Sequence, residues 1–331
     1  MSVPVSQQAR GSDGPRRADD VPRGPFSTWG HMRIRATVAA VSGALALSAL
    51  AVPAAQAEER PAAGVDRPVA GVDLRSGADV FGARSGDAPA ARSRAARPVE
   101  RPVIKKVVVN GGKDIVVGTT SKKKFTVSVT ASSPSGVADA YAFLWRGYID
   151  ETDSGLVPVG KAADCKVSAD PTTSTCTLTI VADPRSGVLA ENSLAGTWNV
   201  AVAVLADTGS DDDAVWDESH SRVRVQRYSK LTVNASPEPV KKGRAITVTG
   251  KLTRANWETC AYRGYTRQPV KLQFRKKGAA SYTTVKTVES SSTGTLRTTV
   301  KASADGYWRY SFAGTSTTPA VASGGDYLDV K

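Results

Sequence analysis

Histidine is scarce in this sequence, 2 in 331 residues. His31 precedes a predicted cleavage point, so His220 is the imidazole left for acid–base work near neutral pH. Ser219 and Ser221 flank it, but neighbours along a strand point to opposite faces and no Gly-x-Ser-x-Gly elbow is present. A serine triad would need a distant Asp and Ser to converge on His220. One histidine and one cysteine left over from the Cys165–Cys176 pair give neither a zinc set nor a Cys-His dyad. Asp150, Glu151 and Asp153 offer the paired carboxylates of glycoside hydrolysis, yet acids so close together read more simply as a surface loop. Gly155 to Lys161 mimics phosphate-loop spacing, but Ala162 stands where Ser or Thr should follow and Pro158 interrupts the amides. No catalytic residue is assigned.

The acidic stretch from Asp207 to Glu218 raises calcium, because clustered carboxylate oxygens suit that ion. Asp207, Asp211, Asp213 and Glu218 are the candidate ligands. Against an EF-hand template, Gly209 sits where an oxygen ligand belongs and Asp212 where the turn glycine belongs. A solvated acidic loop is the favoured reading, with a weak Ca2+ site as the alternative; no other cofactor is expected. Cys165 and Cys176 bracket a turn centred on Asp170-Pro171, which places them opposite each other on a hairpin, within disulfide reach. Cys260 has no evident partner and reads as a free, partly buried thiol or an intermolecular disulfide, the first preferred.

The elements that must carry these residues are strands. From Ile104 the chain runs in short β-branched segments with period-2 alternation, separated by Gly, Pro, Asp and Ser. Two series of about seven strands, over 104–228 and 229–331, predict an all-β chain of two antiparallel β-sandwiches joined near Ser229. Alternation turns Tyr141, Phe143 and Trp145 one way, and Trp198, Val200, Val202 and Val204 likewise. Such an aromatic row can stack sugars, but in a sandwich core is the preferred assignment. The same rule sends Trp308, Tyr310 and Phe312 inward and Arg309 outward.

Ahead of the strands, Arg33 and Arg35 precede an apolar run from Ala36 to Val52 and the small-x-small pattern Ala55-Gln56-Ala57. That order predicts a secretory signal cleaved after Ala57, with Met32 as the true start. Residues 58–103, rich in Ala, Arg, Pro and Gly with Phe81 as the single aromatic, read as a disordered linker. No transmembrane segment is expected in the mature chain. The net charge of +13 is unevenly spread. Residues 104–228 hold 13 Lys and Arg against 15 Asp and Glu, whereas residues 229–331 hold 17 against 6, an excess of +11.

The stretches VKKGRAITVTGKLTR, QPVKLQFRKKGAASYTTVKTV and TGTLRTTVKASADGYWRYSFAG resemble a bacterial immunoglobulin-like repeat of secreted actinobacterial proteins. The features are a Lys-Gly turn, a Gln-Pro-Val strand and a Gly-Tyr-Trp corner, spread over residues 230–331. The resemblance implies tandem immunoglobulin-like scaffolds with a non-catalytic surface or accessory role. A loop departs from the plain repeat by inserting Trp257, Tyr262, Arg263, Tyr265 and Arg267. Aromatics with Arg on a sandwich loop suit sugar or anionic polymer contacts; alternatively they cover the end of the core and enclose Cys260. The expectation is a secreted, non-enzymatic module at the cell wall, binding an anionic cell-envelope polymer or polysaccharide and no specific nucleic acid. The alternatives are an accessory carbohydrate-binding protein and, less favoured, an extracellular hydrolase.

Overall fold

The computed structural model describes Phe81 and residues 99–147, 155–160 and 162–331. The predicted signal segment, most of the predicted linker and the acids Asp150, Glu151 and Asp153 lie outside these described residues.

The chain folds as two β-sandwiches. In the first, β1 (Val103–Val109), β3 (Lys123–Ser132), β7 (Thr173–Ala182) and β6 (Asp164–Val167) form one sheet in the order β1-β3-β7-β6. The facing sheet has the order β2-β9-β8-β4-β5, built from β2 (Ile115–Val117), β9 (Ala214–Arg227), β8 (Gly196–Ala206), β4 (Val137–Trp145) and β5 (Gly155–Leu156). Apart from β2, which runs parallel to β9, the pairing is antiparallel. With the short strands β2 and β5 counted as A′ and C′ and the rest lettered in chain order, this is an ABED sheet against a CFG sheet, the immunoglobulin-like arrangement.

In the second sandwich β12 (Ala245–Asn256) is the hub of one sheet, pairing with β10 (Ser229–Leu231), β11 (Asn234–Ser236), β13 (Ala261–Gly264) and β16 (Thr295–Lys301). The other sheet runs β15 (Thr283–Glu289), β14 (Pro269–Lys276), β17 (Gly306–Phe312) and β18 (Val321–Ala322), with β19 (Asp326–Leu328) also on β17.

Alternation builds each core. On β3, Phe125, Val127, Val129 and Ala131 are buried, and on β7 so are Cys176, Leu178, Ile180 and Ala182, while the residues between them are not. On β17, Trp308, Tyr310 and Phe312 point inward and Arg309 lies outward, as the alternation predicts. Leu144 stands opposite Val200 and Ala142 opposite Val202, so the Trp198 row shares its face with Leu144 and Ala142. Tyr141, Phe143 and Trp145 occupy the other face together with Trp216, on whose ring Phe143 stacks at 5.9 Å. Tyr141 and Phe143 are nevertheless 8% and 3% exposed, so the row is no platform for sugar stacking. In addition, Phe81, expected in a disordered linker, is buried within the first core. Its neighbour in that reading, Glu100, donates its backbone N–H to Asp213 and accepts from Ser135.

Cys165 and Cys176 are directly opposite on the β6–β7 hairpin and form a disulfide. Constraining this short loop should contribute about 2–3 kcal/mol, so replacing both cysteines by serine lowers the urea midpoint with little change in m-value. In the second core the Tyr310 hydroxyl donates to Val248 O at 3.0 Å, and burial pushes its phenol up to about 12. The native state therefore holds this proton more tightly than the unfolded chain, and stability falls as pH rises from about 10 towards 12. Tyr310→Phe should cost about 1 kcal/mol at neutral pH and flatten that alkaline loss, measured by urea unfolding across the window.

Candidate functional site

The loop predicted to bind ligand is the joint between the sandwiches. β12 and β13 form a hairpin whose turn spans residues 257–260 and reaches back to the first sandwich. Trp257 is 1% exposed and belongs to the first sandwich's core although the chain supplies it from the second. Its indole N–H donates to Gly118 O at 3.0 Å, just beyond β2. Its backbone N–H donates to the Asn192 side-chain oxygen at 3.1 Å, and Glu258 accepts from Asn192 N–H at 3.1 Å. The Asn192 oxygen also accepts from Arg227, at the end of β9. Arg227 is buried, and desolvation and the nearby Arg254 push its guanidinium down to about 10.

Only Tyr228 separates β9 from β10, and the backbone around it is bonded on both sides. Tyr228 N–H donates to Val117 O in the first sandwich, while Tyr228 O accepts from Ala255 N–H in the second. Arg227 N–H donates to Thr317 O, and the Gln226 side chain to Thr315 O. There is no free linker at which the domains could pivot.

The other loop residues follow the same logic. Tyr262 lies against Gly118 with Lys230 stacked over its ring at 3.8 Å, and burial pushes its phenol up. Tyr265 is buried in the second core, edge-on to Phe312, with the Arg254 guanidinium 3.8 Å above its ring. Trp257 and Tyr265 are thus taken up by packing, while Tyr262 is half-buried, because a sandwich end needs large amphipathic rings to seal it. Arg263 and Arg267 remain exposed. Cys260 ends the hairpin turn with φ 49; the residue is exposed and not in a disulfide, and its thiol donates to Trp257 O at 3.6 Å.

The four calcium candidates are dispersed. Asp213 is buried and accepts from Glu100 N–H and the Thr208 hydroxyl, so it closes the β8–β9 turn. Asp207 lies exposed in that turn, whereas Glu218 is on β9, its carbonyl accepting from the Trp145 indole. Among the described residues no three His, Cys, Asp or Glu side chains could hold a metal ion together. His220 pairs with Asp217 at 3.0 Å beside a shallow groove of about 710 Å3 lined by Pro102, Ile104 and Trp216. Ser219 bonds Asn199 instead of the imidazole.

A cluster that sequence reasoning missed covers the outer face of the β15-β14-β17-β19 sheet. Arg275 stands opposite Tyr307, and Tyr307 opposite Tyr327; Gln273 stands opposite Arg309. The Arg275 guanidinium lies 4.5 Å from the Tyr307 centroid and 5.2 Å from that of Tyr282. Arg309 covers Tyr282 at 3.8 Å and donates to Gln273 at 2.8 Å. Period 2 already marks Tyr307 and Arg309 as outward, but only the strand register brings Arg275 and Tyr282 to them.

No family model and no curated sequence matches the chain. Among solved structures it is similar to the fibronectin(III)-like modules of Clostridium thermocellum CbhA, at 10% identity and a TM-score of 0.32, covering 68% of this chain and 93% of that one. It is also similar to the Escherichia coli adhesin FdeC, at 14% identity and a TM-score of 0.30, covering 72% of this chain and 66% of that one. A third similarity is to the D00-D0 domain of intimin, at 14% identity and a TM-score of 0.21, covering 67% of this chain and 99% of that one. The immunoglobulin-like assignment rests on strand order.

If Trp257 is the peg of the joint, Trp257→Ala removes a fully buried indole and should destabilise by about 3–5 kcal/mol. Calorimetry should then resolve two unfolding transitions where the unaltered protein shows one.

Proposed function

We propose that the protein is a secreted, non-enzymatic binding module whose second sandwich holds it to the anionic cell envelope. The observation that carries this reading is the placement of charge. The second sandwich holds +11 and is joined without a flexible linker to a neighbour of −2, so the basic end has a fixed orientation. A surface of one sign draws a polyanion by summed field rather than by any single contact. The basic, apolar and small-residue order through Ala57 and the Cys165–Cys176 disulfide both support export to an oxidising compartment. Among the described residues no helix is long and apolar enough to cross a membrane, and attachment by charge needs none.

Binding dominated by exposed charge weakens as salt shortens the screening length to about 3 Å near 1 M. The protein should sediment with isolated cell walls at low ionic strength and appear in the supernatant at about 1 M salt. Retention that does not change between the two conditions overturns this reading.

A further inference from the structure

Arg275 and Arg309 combine three properties that ordinary surface arginines lack. Each guanidinium is stacked on tyrosine: Arg275 over both Tyr282 and Tyr307, Arg309 over Tyr282. Each is tethered at one nitrogen, Arg275 to Ala279 O at 3.0 Å and Arg309 to the Gln273 side chain at 2.8 Å. Neither has a carboxylate within ion-pair distance among the described residues. Stacking and tethering remove rotamer freedom before any ligand arrives and leave further N–H donors unpaired.

Their support is built across the sheet. Tyr282 precedes β15, yet its hydroxyl would stand 2.5 Å from a Cβ at Gly325, beyond β18. The ring therefore reaches across the arginine face to the far side of β17, and glycine at 325 leaves room for it. At one end of the row the Tyr327 hydroxyl donates to Asp305, which also pairs with Lys277 at 3.9 Å. Asp305 thus satisfies Lys277 and lies at the end of the ladder, leaving the two arginines uncompensated.

Building on the envelope-binding reading, we propose that this face of the β15-β14-β17-β19 sheet is the binding site, and that its ligand is an acidic polysaccharide bearing ring carboxylates. The planar N–H edges of two positioned guanidiniums match carboxylates bidentately. The guanidiniums cover ring faces of Tyr282 and Tyr307, so it is the ring edges beside them that meet the C–H groups of pyranose units, a contact that a polymer without rings cannot make. An open sheet face admits an extended chain, and the +11 domain around it favours a polyanion over a neutral glycan.

The test is equilibrium binding of the protein to polygalacturonate, with dextran, polyphosphate and a single-stranded oligonucleotide as comparators. Arg275→Ala with Arg309→Ala should weaken polygalacturonate binding by about tenfold or more. Arg275→Lys with Arg309→Lys keeps the charge and loses the planar fork, and should still weaken binding severalfold. Lys251→Ala with Arg297→Ala removes two exposed charges from the opposite sheet and should change affinity by less than about twofold. Melting temperatures are compared for all variants, and the lysine pair keeps the test valid if the alanine pair unfolds. Equal losses from the two alanine pairs overturn the site while leaving the anionic-surface reading standing. Polyphosphate or oligonucleotide binding as tight as that of polygalacturonate, and equally sensitive to the arginines, overturns the ligand class. No binding to any polyanion overturns both readings.

Discussion

Everything that this protein presents to its surroundings depends on a tryptophan supplied by one domain to the core of the other. Two sandwiches joined by a single residue could still swing about that residue, since a lone backbone link fixes position but not orientation. Trp257 removes the freedom by burying its ring beside β2 and spending its indole N–H on Gly118 O. Pulling it out would expose an aromatic surface and strand a carbonyl that no strand partner claims. The hydrogen bonds around Tyr228 then act on a joint that is already closed. The orientation of the basic domain is consequently a property of the fold rather than of a linker ensemble.

The joint also explains why its polar residues are arranged around Asn192. A buried arginine without an ion-paired carboxylate is costly, and desolvation with the nearby Arg254 pushes the Arg227 guanidinium down. One side-chain oxygen, that of Asn192, accepts from both Arg227 and the Trp257 backbone, and Glu258 accepts from the Asn192 backbone. A chain of neutral and charged groups from both domains is thereby closed across the seam. Such a network contributes less to stability than an apolar seam of the same size, and it leaves the buried Arg227 Nε without a partner, but its cross-domain bonds form in one relative placement of the two domains.

Much of the scaffold was legible because period-2 alternation and turn residues are local signals. The Cys165–Cys176 pairing followed from the turn at Asp170-Pro171, and the inward set Trp308, Tyr310 and Phe312 from alternation alone. The acidic stretch from Asp207 to Glu218 reads as a loop, whereas β9 begins within it at Ala214, because acidic residues look like a loop until β8 supplies a partner. On β4 alternation puts Tyr141, Phe143 and Trp145 on one face, where they lie, but does not say which strand they meet. Alternation sorts residues into two sets, but which set meets Trp198 depends on register with β8, a long-range quantity.

The candidate site shows the same limit more sharply. An aromatic-rich loop between strands has one composition whether it binds a ligand or seals a domain seam, since both tasks want large rings with polar edges. What separates them is the surface opposite the loop, here the end of β2 and the turn at Asn192. The arginine ladder carries the converse signature. Its members come from β14, β17, β19 and the approach to β15, so no window of sequence contains them together. Stacking of guanidinium on tyrosine holds the charges at fixed places on a rigid sheet, and the fixed joint in turn holds that sheet relative to the rest of the chain. Diffuse charge alone would give attraction without direction. Placing two uncompensated guanidiniums on a fixed face gives the attraction a geometry, and geometry is what a surface needs in order to prefer one polyanion to another.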